Sequence, residues 1–342
     1  MASGNGSGLP NDLTAVDRVE VSVLIDNVTD ILSTVPENVT PEVPNVMAAG
    51  ATELSGECLC CAHWGLSLVI TAWSGDTRHS LLFDSGPEGT TVDRNGNRLG
   101  QDFGAIESVV LSHGHWDHSG GMLTALDLIT TANGGKKVPF HTNPGMFVKR
   151  ALRLPDGGVV PFKDVSSVNE LTEAGADVVN SEDPQLLLDG MYYLSGEIPR
   201  RTSYEVGLPG HVKRNADDTD WDPDPLLMDE RWVAVNVAGK GLIVFTACSH
   251  AGVVNVLNHA RDVFDPVPIY GVMGGFHLSG AANEKIIPET VEDMKAFDLK
   301  MIVPGHCTGW RAIHALVNAF GEEIVVPSAV GRRHRFEADT RP

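Results

Sequence analysis

Segment 111–121 of the chain reads LSHGHWDHSGG and places three histidines and an aspartate within six positions. Imidazole nitrogens and a carboxylate oxygen form a ligand set that suits zinc and, less exclusively, iron or manganese. His113 and His115 are two residues apart, so they point to the same side of an extended segment, and Asp117 and His118 follow as the chain bends. Because the segment directly follows an apolar run, we predict a metal site here rather than a group of solvated polar side chains.

Three further histidines share one sequence context, the end of an apolar run beside glycine or serine. They are His250 in GLIVFTACSH, His277 in IYGVMGGFH and His306 in MIVPGH. One such histidine would more often be structural than a ligand. A catalytic metal needs ligands from several parts of the chain, and three histidines in the same pattern predict a site shared with segment 111–121.

Apolar runs predict the elements that must position these residues. The expected elements are a strand at 19–27, a loop at 29–57, a hairpin formed by 65–73 and 79–86, a strand at 106–113 followed by a helix from 122, a second hairpin at 231–250, strands at 267–277 and 300–307, and helices beginning near 253, 288 and 311. Strands dominate the early part of each half of the chain and alternate with helices later.

The length of 342 residues and the 42% hydrophobic content allow one large domain with a substantial core. We predict a flexible N-terminal tail over 1–18 and a single domain over 19–342. The stretch at about 154–229 is polar, weakly periodic and rich in Pro, Asp and Gly. It is therefore interpreted as an insertion that shapes a substrate pocket.

Composition limits the partners of this chain. Lys and Arg number 25 against 45 Asp and Glu, a formal net charge of −20, and the longest basic run is GRRHR. Nucleic acid and anionic membranes are therefore disfavoured, because phosphate contacts need clustered cations. The N-terminus does not resemble a signal peptide, and the five cysteines lack the spacing of a disulfide framework, so we expect a cytoplasmic protein. A small-molecule substrate is the expected partner, and a homodimer is retained as an alternative to a monomer.

The motif SHGHWDHSGG resembles the His-x-His-x-Asp-His signature of the metallo-β-lactamase-fold superfamily. The motifs GLSLVI, LLFDSG, GEIPR, GLIVFTACSHAGVVN, GGFHL and PGHCTGW further resemble the branch named for dihydropterin ribofuranosylaminobenzene phosphate synthase. Together they span about 19–331. The resemblance implies an α/β fold, a four-layer αββα sandwich with the metal site along one edge between the two sheets.

Carried over position by position, the resemblance implies roles for individual residues. His113 and His115 match ligands of a first metal, Asp117 and His118 match ligands of a second, and His306 matches the last histidine ligand. Asp84 in LLFDSG matches an aspartate that orients a metal-bound histidine or the loop carrying it.

Two positions depart from the superfamily pattern. Cys248 stands where most members have an aspartate that bridges two metals, and His250 is expected to substitute for it. A histidine expected near the start of the same hairpin is not obvious, since Asp229 and Glu230 occur there and His211 lies well upstream. Whether Cys248 ligates, and whether one or two metals bind, therefore stays open.

The ligand set favours a hydrolase in which Zn²⁺, with iron or manganese as alternatives, lowers the pKa of a water from ~15.7 to about 7. The expected substrate is a small ester, lactone, phosphoester or pterin-like molecule. Asp117 is expected to act as base or ligand, and His277 to hydrogen-bond an oxyanion or leaving group. Arg200 and Arg201 after GEIP are the candidate cations for a phosphorylated substrate.

Three alternatives remain beside hydrolysis. The first is the reaction of the named branch, which joins a dihydropterin-methyl diphosphate to a ribofuranosylaminobenzene phosphate and releases diphosphate. The second is an iron-dependent redox enzyme on the same fold. The third is a non-catalytic binding protein, which the complete His/Asp cluster disfavours.

Overall fold

The computed structural model describes residues 12–339. Its strands are β1 (Ala15–Val16), β2 (Arg18–Ile25), β3 (Val39–Thr40), β4 (Ser67–Ser74), β5 (Thr77–Phe83), β6 (Ser108–Val110), β7 (Val138–Thr142), β8 (Arg150–Arg153), β9 (Val159–Pro161), β10 (Ala176–Asn180), β11 (Gln185–Leu187), β12 (Tyr192–Leu194), β13 (His211–Arg214), β14 (Trp221–Pro223), β15 (Val233–Val237), β16 (Gly241–Thr246), β17 (Ile269–Gly275), β18 (Met301–Gly305) and β19 (Arg333–Glu337). Its α-helices are α1 (Glu42–Ala48), α2 (Gly89–Arg98), α3 (Trp116–Ser119), α4 (Met122–Ala132), α5 (Val168–Glu173), α6 (Val253–Phe264), α7 (Ile287–Met294) and α8 (Trp310–Phe320).

The strands form two large sheets and one small sheet. The eight-stranded sheet has the order β10-β7-β6-β5-β4-β2-β19-β3. The seven-stranded sheet has the order β11-β12-β15-β16-β17-β18, with β1 beside β15, and the four-stranded sheet has the order β14-β13-β8-β9. Strands β5, β6 and β7 are mutually parallel, as are β16, β17 and β18. Within each large sheet, the loops after these parallel strands therefore leave from one edge.

The two large sheets pack face to face, and helices cover both outer faces. In β16, Ile243 and Phe245 point into the core between the sheets, whereas Leu242 and Val244 face the apolar sides of α6, α7 and α8. Both faces of β16 are thus buried, which explains why GLIVFT is a continuous apolar run rather than an alternating one. Burying one such side chain contributes roughly 1.5–3 kcal/mol.

The eight-stranded sheet is covered in the same way. Helices α2 and α4 place Val92, Leu126 and Ile129 against Leu82 and Val109 on its outer face. The layers therefore run helix, sheet, sheet, helix, and the predicted α/β class with a four-layer αββα sandwich is confirmed. Within residues 12–339, no helix combines the length and apolar character needed to cross a membrane.

Three boundaries differ from the sequence-based expectations. The tail predicted over 1–18 includes β1, which pairs with β15 and buries Val16, while 1–11 lie outside the described residues. The loop predicted at 29–57 contains β3 and α1. The stretch 154–229 is more than an insertion, because it also supplies β10 to the eight-stranded sheet and β11 and β12 to the seven-stranded sheet. These strands are short, so their apolar periodicity is too brief to identify them from the sequence.

Candidate metal centre

Four chain segments deliver the predicted ligands to one edge of the sandwich. His113 follows β6, and α3 begins directly after His115 and carries Asp117 and His118. Cys248 and His250 lie between β16 and α6, His277 follows β17, and His306 follows β18. The cluster therefore joins loops from both large sheets.

Backbone conformation at this edge is unusual. Four residues here adopt the left-handed φ region, which non-glycine residues seldom adopt. They are Asp84 (φ +59°), Ser249 (+54°), His277 (+47°) and His306 (+45°). Such conformations cost of order 1–3 kcal/mol each and tend to occur at functional sites. Two of the four residues, His277 and His306, belong to the ligand groups described next, and Asp84 contacts His118.

The candidate ligand atoms form five overlapping groups of three, in each of which all atoms lie within 4.8 Å of one another. The groups are His113/His115/His250, His113/His118/Cys248, Asp117/His118/His306, Cys248/His306/Cys307 and Cys248/His250/His277. All of these residues are buried except His277, which is partly exposed. Shared members connect the groups into one cluster large enough for more than one ion.

Hydrogen bonds on the far side of the rings define which nitrogens face the cluster. His118 Nδ1 lies 2.7 Å from Asp84 Oδ2, and His113 Nδ1 lies 2.9 Å from Ser112 Oγ, whose hydroxyl donates to the same carboxylate at 2.7 Å. His306 Nδ1 lies 3.1 Å from Asn27 Oδ1. Because these oxygens accept from Nδ1–H, the Nε2 atoms of all three histidines are left as ligand atoms.

Three cluster histidines have buried ring nitrogens without a hydrogen-bond partner. These atoms are both ring nitrogens of His250, Nδ1 of His277 and Nε2 of His306 within residues 12–339, and the last of them lies 3.4 Å from Asp117 Oδ2. An unsatisfied buried polar atom is normally disfavoured by about 1–3 kcal/mol. A bound metal ion would satisfy these atoms, so the donor set fits such an ion.

Burial and neighbouring charges shift the protonation of the cluster. Burial lowers the pKa values of His113, His115 and His250 well below the ordinary range, which keeps these imidazoles neutral. Burial alone would raise the pKa of Asp117, but His118 and His306 lower it to about 2. The carboxylate also accepts a hydrogen bond from Trp64 Nε1 at 3.0 Å. Neutral His113, His115 and His250 and an ionised Asp117 are in the states that bind metals. Against the effect of burial, Cys307 and Asp117 raise the pKa of His306 to about 9, so a metal bound there would displace a proton.

Cys248 itself lies at the centre of the cluster. Its Sγ is 3.2 Å from His118 Nε2 and 3.3 Å from Cys307 Sγ, and burial raises the pKa of its thiol well above the ordinary value. The sequence-based expectation placed His250 in the bridging position. The geometry places His250 in one group with His113 and His115 and in another with Cys248 and His277, while Cys248 also forms a group with His113 and His118.

Arg200 and Arg201 do not contact the cluster. Arg200 donates to the backbone carbonyls of Ile198, Leu226 and Leu227, and Arg201 forms an exposed ion pair with Asp262 of α6. Neither arginine forms a hydrogen bond or ion pair with a cluster residue in the described part of the chain. The role in phosphate binding that we expected of them is therefore not supported by their contacts, because their donors are used elsewhere.

The sequence analysis missed several residues that support the cluster. His211 Nε2 lies 3.1 Å from His115 Nε2, and Glu230 accepts hydrogen bonds from the backbone nitrogens of His250 and Ala251 at 2.8 and 2.6 Å. Trp64, half exposed at 47%, holds Asp117. None of these residues lies in a ligand-rich motif. The only available signal was that Glu230 occurs where a histidine was expected and that His211 lies upstream of that position.

No protein-family model matches the chain. The 7,8-dihydropterin-6-methyl-4-(β-D-ribofuranosyl)-aminobenzene-5'-phosphate synthase of Methanocaldococcus jannaschii is 29% identical over 270 residues, which cover 76% of this chain and 86% of that protein. An uncharacterized protein of the same organism is 30% identical over 238 residues, covering 69% of this chain and 82% of its own length.

Solved structures share the fold. A protein described as a metal-dependent hydrolase of the β-lactamase superfamily has a TM-score of 0.67 at 21% identity, covering 94% of this chain and 99% of that chain. The metallo-β-lactamase-fold protein YhfI of Bacillus subtilis has a TM-score of 0.50 at 12% identity, covering 94% of this chain and 100% of that chain.

Proposed function

Because the chain belongs to the metallo-β-lactamase-fold superfamily, in the branch that includes the dihydropterin ribofuranosylaminobenzene phosphate synthase, we propose that it is a metal-dependent hydrolase. The proposed substrate is a small ester, lactone, phosphoester or pterin-like molecule. A net charge of −20 supports such a substrate over nucleic acid. The cytoplasmic location expected from the sequence stays a prediction.

One observation carries the proposal: the convergence of five ligand groups, in which both buried ring nitrogens of His250 have no hydrogen-bond partner among the described residues. His113, His115 and His250 would hold one ion, and Asp117, His118 and His306 would hold a second, with Cys248 between them. A set that includes a thiol suits zinc or iron better than manganese. Zinc is the proposed cofactor, with iron as the alternative that the same ligand set accommodates.

A bound divalent ion of this kind supplies hydroxide at neutral pH and polarises the group under attack. The chain itself contributes positioning and proton transfer. Asp117, ionised and held by Trp64, is oriented to accept a proton or to ligate. His277 is the one partly exposed member of the ligand groups and lines a pocket together with His250, so we propose that it contacts an oxyanion or leaving group.

A second candidate is the transferase reaction named for the relative that is 29% identical over 86% of its length. The same cluster would then face the phosphate groups of the substrate. Arg200 is bound to backbone carbonyls, whereas Arg150 is bound to Asp229 through Nη2 and has no hydrogen-bond partner for Nε and Nη1 within residues 12–339. Hydrolysis is kept as the leading candidate because it needs only one substrate at the cluster.

Metal content per chain, measured by elemental analysis of the purified protein, tests the proposal. We expect near-stoichiometric zinc in the wild type and its loss in a His115→Ala/Asp117→Ala variant. A matched control is His314→Ala, which removes an exposed histidine of α8. Hydrolysis of a lactone and phosphodiester panel should follow the zinc content.

Other results would redirect or reject the proposal. Iron together with O₂ uptake would favour a redox enzyme. Release of diphosphate only when a pterin diphosphate and an aminobenzene riboside phosphate are both present would favour the transferase. The absence of metal from both wild type and variant would reject a metal centre.

A further inference from the structure

His115 is supported differently from the other ligand histidines. Its Nδ1 lies 3.1 Å from His113 Nε2 inside the cluster, whereas its Nε2 lies 3.1 Å from His211 Nε2 outside it. The other side of the His211 ring places Nδ1 2.7 Å from the backbone oxygen of Asp224. The hydrogen-bond partner of His115 is thus another histidine, His211, whereas the partners of His113, His118 and His306 are oxygen atoms.

The tautomers follow from this chain of contacts. A carbonyl oxygen only accepts, so His211 Nδ1 carries a hydrogen, and Nε2 of the neutral ring is an acceptor. His115 must then donate from Nε2–H, which leaves its Nδ1 lone pair directed at the cluster. We propose that His211 is a positioning residue that holds His115 as an Nδ1 ligand, an inference that rests on the proposed metal site.

The four-stranded sheet supplies this support. His211 begins β13, which pairs with β8 so that His211 lies opposite Leu152. Phe162, just after β9, packs edge-on against His115 with ring centroids 5.4 Å apart and lies 5.9 Å from the ring of His211. Both rings are buried, so water cannot replace the hydrogen bond between them.

The same sheet also holds Gly114, the residue between His113 and His115. Arg150 of β8 donates from Nη2 to Asp229 Oδ1 at 2.5 Å, and Asp229 Oδ2 accepts from the backbone nitrogen of Gly114 at 2.9 Å. A Cβ at Gly114 would collide with Arg150 Nη1 and with the carbonyl of Met146. The small sheet therefore orients the His113–His115 pair through both the backbone and a side chain.

Two variants at this position separate positioning from packing. His211→Phe keeps a ring but removes the acceptor. His211→Gln keeps a carbonyl that can accept from His115 and an amide that can donate to Asp224. His334→Phe is the matched control, because it removes a fully buried histidine of β19 from outside the cluster.

The full-length proteins are loaded with Zn²⁺ or Co²⁺. Competition with a chelator measures the affinity for the metal, and the Co²⁺ absorption bands report the geometry of the ligands. We expect His211→Phe to bind the same number of ions about 10–100-fold more weakly, with altered Co²⁺ bands, as for other residues that orient ligands. His211→Gln should recover most of the affinity and the wild-type bands. His334→Phe should match the wild type in both.

Wild-type affinity and bands in His211→Phe would overturn the inference while leaving the metal site intact. Loss of one ion per chain in both His211 variants would also overturn it, because His211 would then be a ligand. Equal weakening in His334→Phe would attribute the effect to general stability and reject positioning. A wild type that binds neither metal would overturn the proposed function as well.

Discussion

At the scale of single residues, the outward-facing nitrogens of four cluster histidines are all occupied. Ser112 contacts His113, His211 contacts His115, Asp84 contacts His118, and Asn27 contacts His306. Each partner selects one tautomer and one ring orientation. The ligand atoms are therefore preorganised before any ion binds, which reduces the reorganisation that binding requires.

Asp84→Asn tests this preorganisation. The Asp84 carboxylate accepts from the backbone and hydroxyl of Ser112 and from His118, and its φ of +59° is one that asparagine tolerates. An amide in its place lacks one acceptor and presents N–H groups to these donors. We expect about 10–100-fold weaker zinc binding in chelator competition and a loss of about 1–3 kcal/mol in unfolding free energy.

Asp76→Asn, in the exposed hairpin turn between β4 and β5, is the control and should behave as wild type. Unchanged zinc affinity in Asp84→Asn would show that His118 does not depend on this carboxylate for its orientation.

At the scale of elements, the start of α6 is stabilised by carboxylates from elsewhere in the chain. Its N-cap, Gly252, provides no side-chain hydrogen bond, and Glu205 instead accepts from the backbone nitrogens of Val254 and Asn255, both at 2.9 Å. Glu230 holds the preceding loop through His250. The position of His250 therefore depends on the carboxylates that accept hydrogen bonds from the backbone nitrogens at the start of α6.

Glu205→Gln should change how stability depends on pH. Burial raises the pKa of Glu205 from 4.5 to about 7, so between these values the folded state holds a proton that the unfolded state has lost. The free energy of unfolding therefore falls as pH rises through this window, by up to about 1.4 kcal/mol per pH unit. Glutamine cannot titrate, so the stability of the variant relative to wild type should rise with pH between about 4.5 and about 7.

Urea unfolding at several pH values in this range measures the difference, with the exposed Glu322→Gln as the matched control. Parallel pH profiles for wild type and Glu205→Gln would contradict the prediction, whereas the control profile should follow the wild type.

At the scale of the whole molecule, the candidate centre lies where the two large sheets meet. The eight-stranded sheet supplies His113 through the loop after β6, and the seven-stranded sheet supplies His250 and His306. An ion held by both sets would cross-link the sandwich. Binding that is specific to the folded state stabilises it by mass action.

Removal of metal should therefore lower the melting temperature. At a free ion concentration ~1,000 times Kd, binding adds about 4 kcal/mol to the free energy of unfolding. Differential scanning calorimetry with and without a chelator should show a lower Tm for the chelated wild type. The His115→Ala/Asp117→Ala variant should show no such difference, and an equal shift in both proteins would mean that the chelator acts elsewhere.

The sequence by itself determined the long elements and most of the candidate site. Continuous or alternating apolar runs are strong local signals, so β2, β4, β5, β16 and α6 were predicted close to their observed positions. Ligand-type residues at the ends of such runs identified His113, His115, His250 and His306, because strand direction alone brings these ends to an edge.

Only the tertiary structure decided the grouping of the ligands and their support. Which histidines share a group with Cys248 and which share one with His250 depends on backbone angles after β16, which local sequence does not encode. His211, Trp64 and Asn27 lie far along the chain from the residues they contact, in short or irregular segments without periodicity. Their roles arise from packing between distant segments, and that packing is a property of the complete fold.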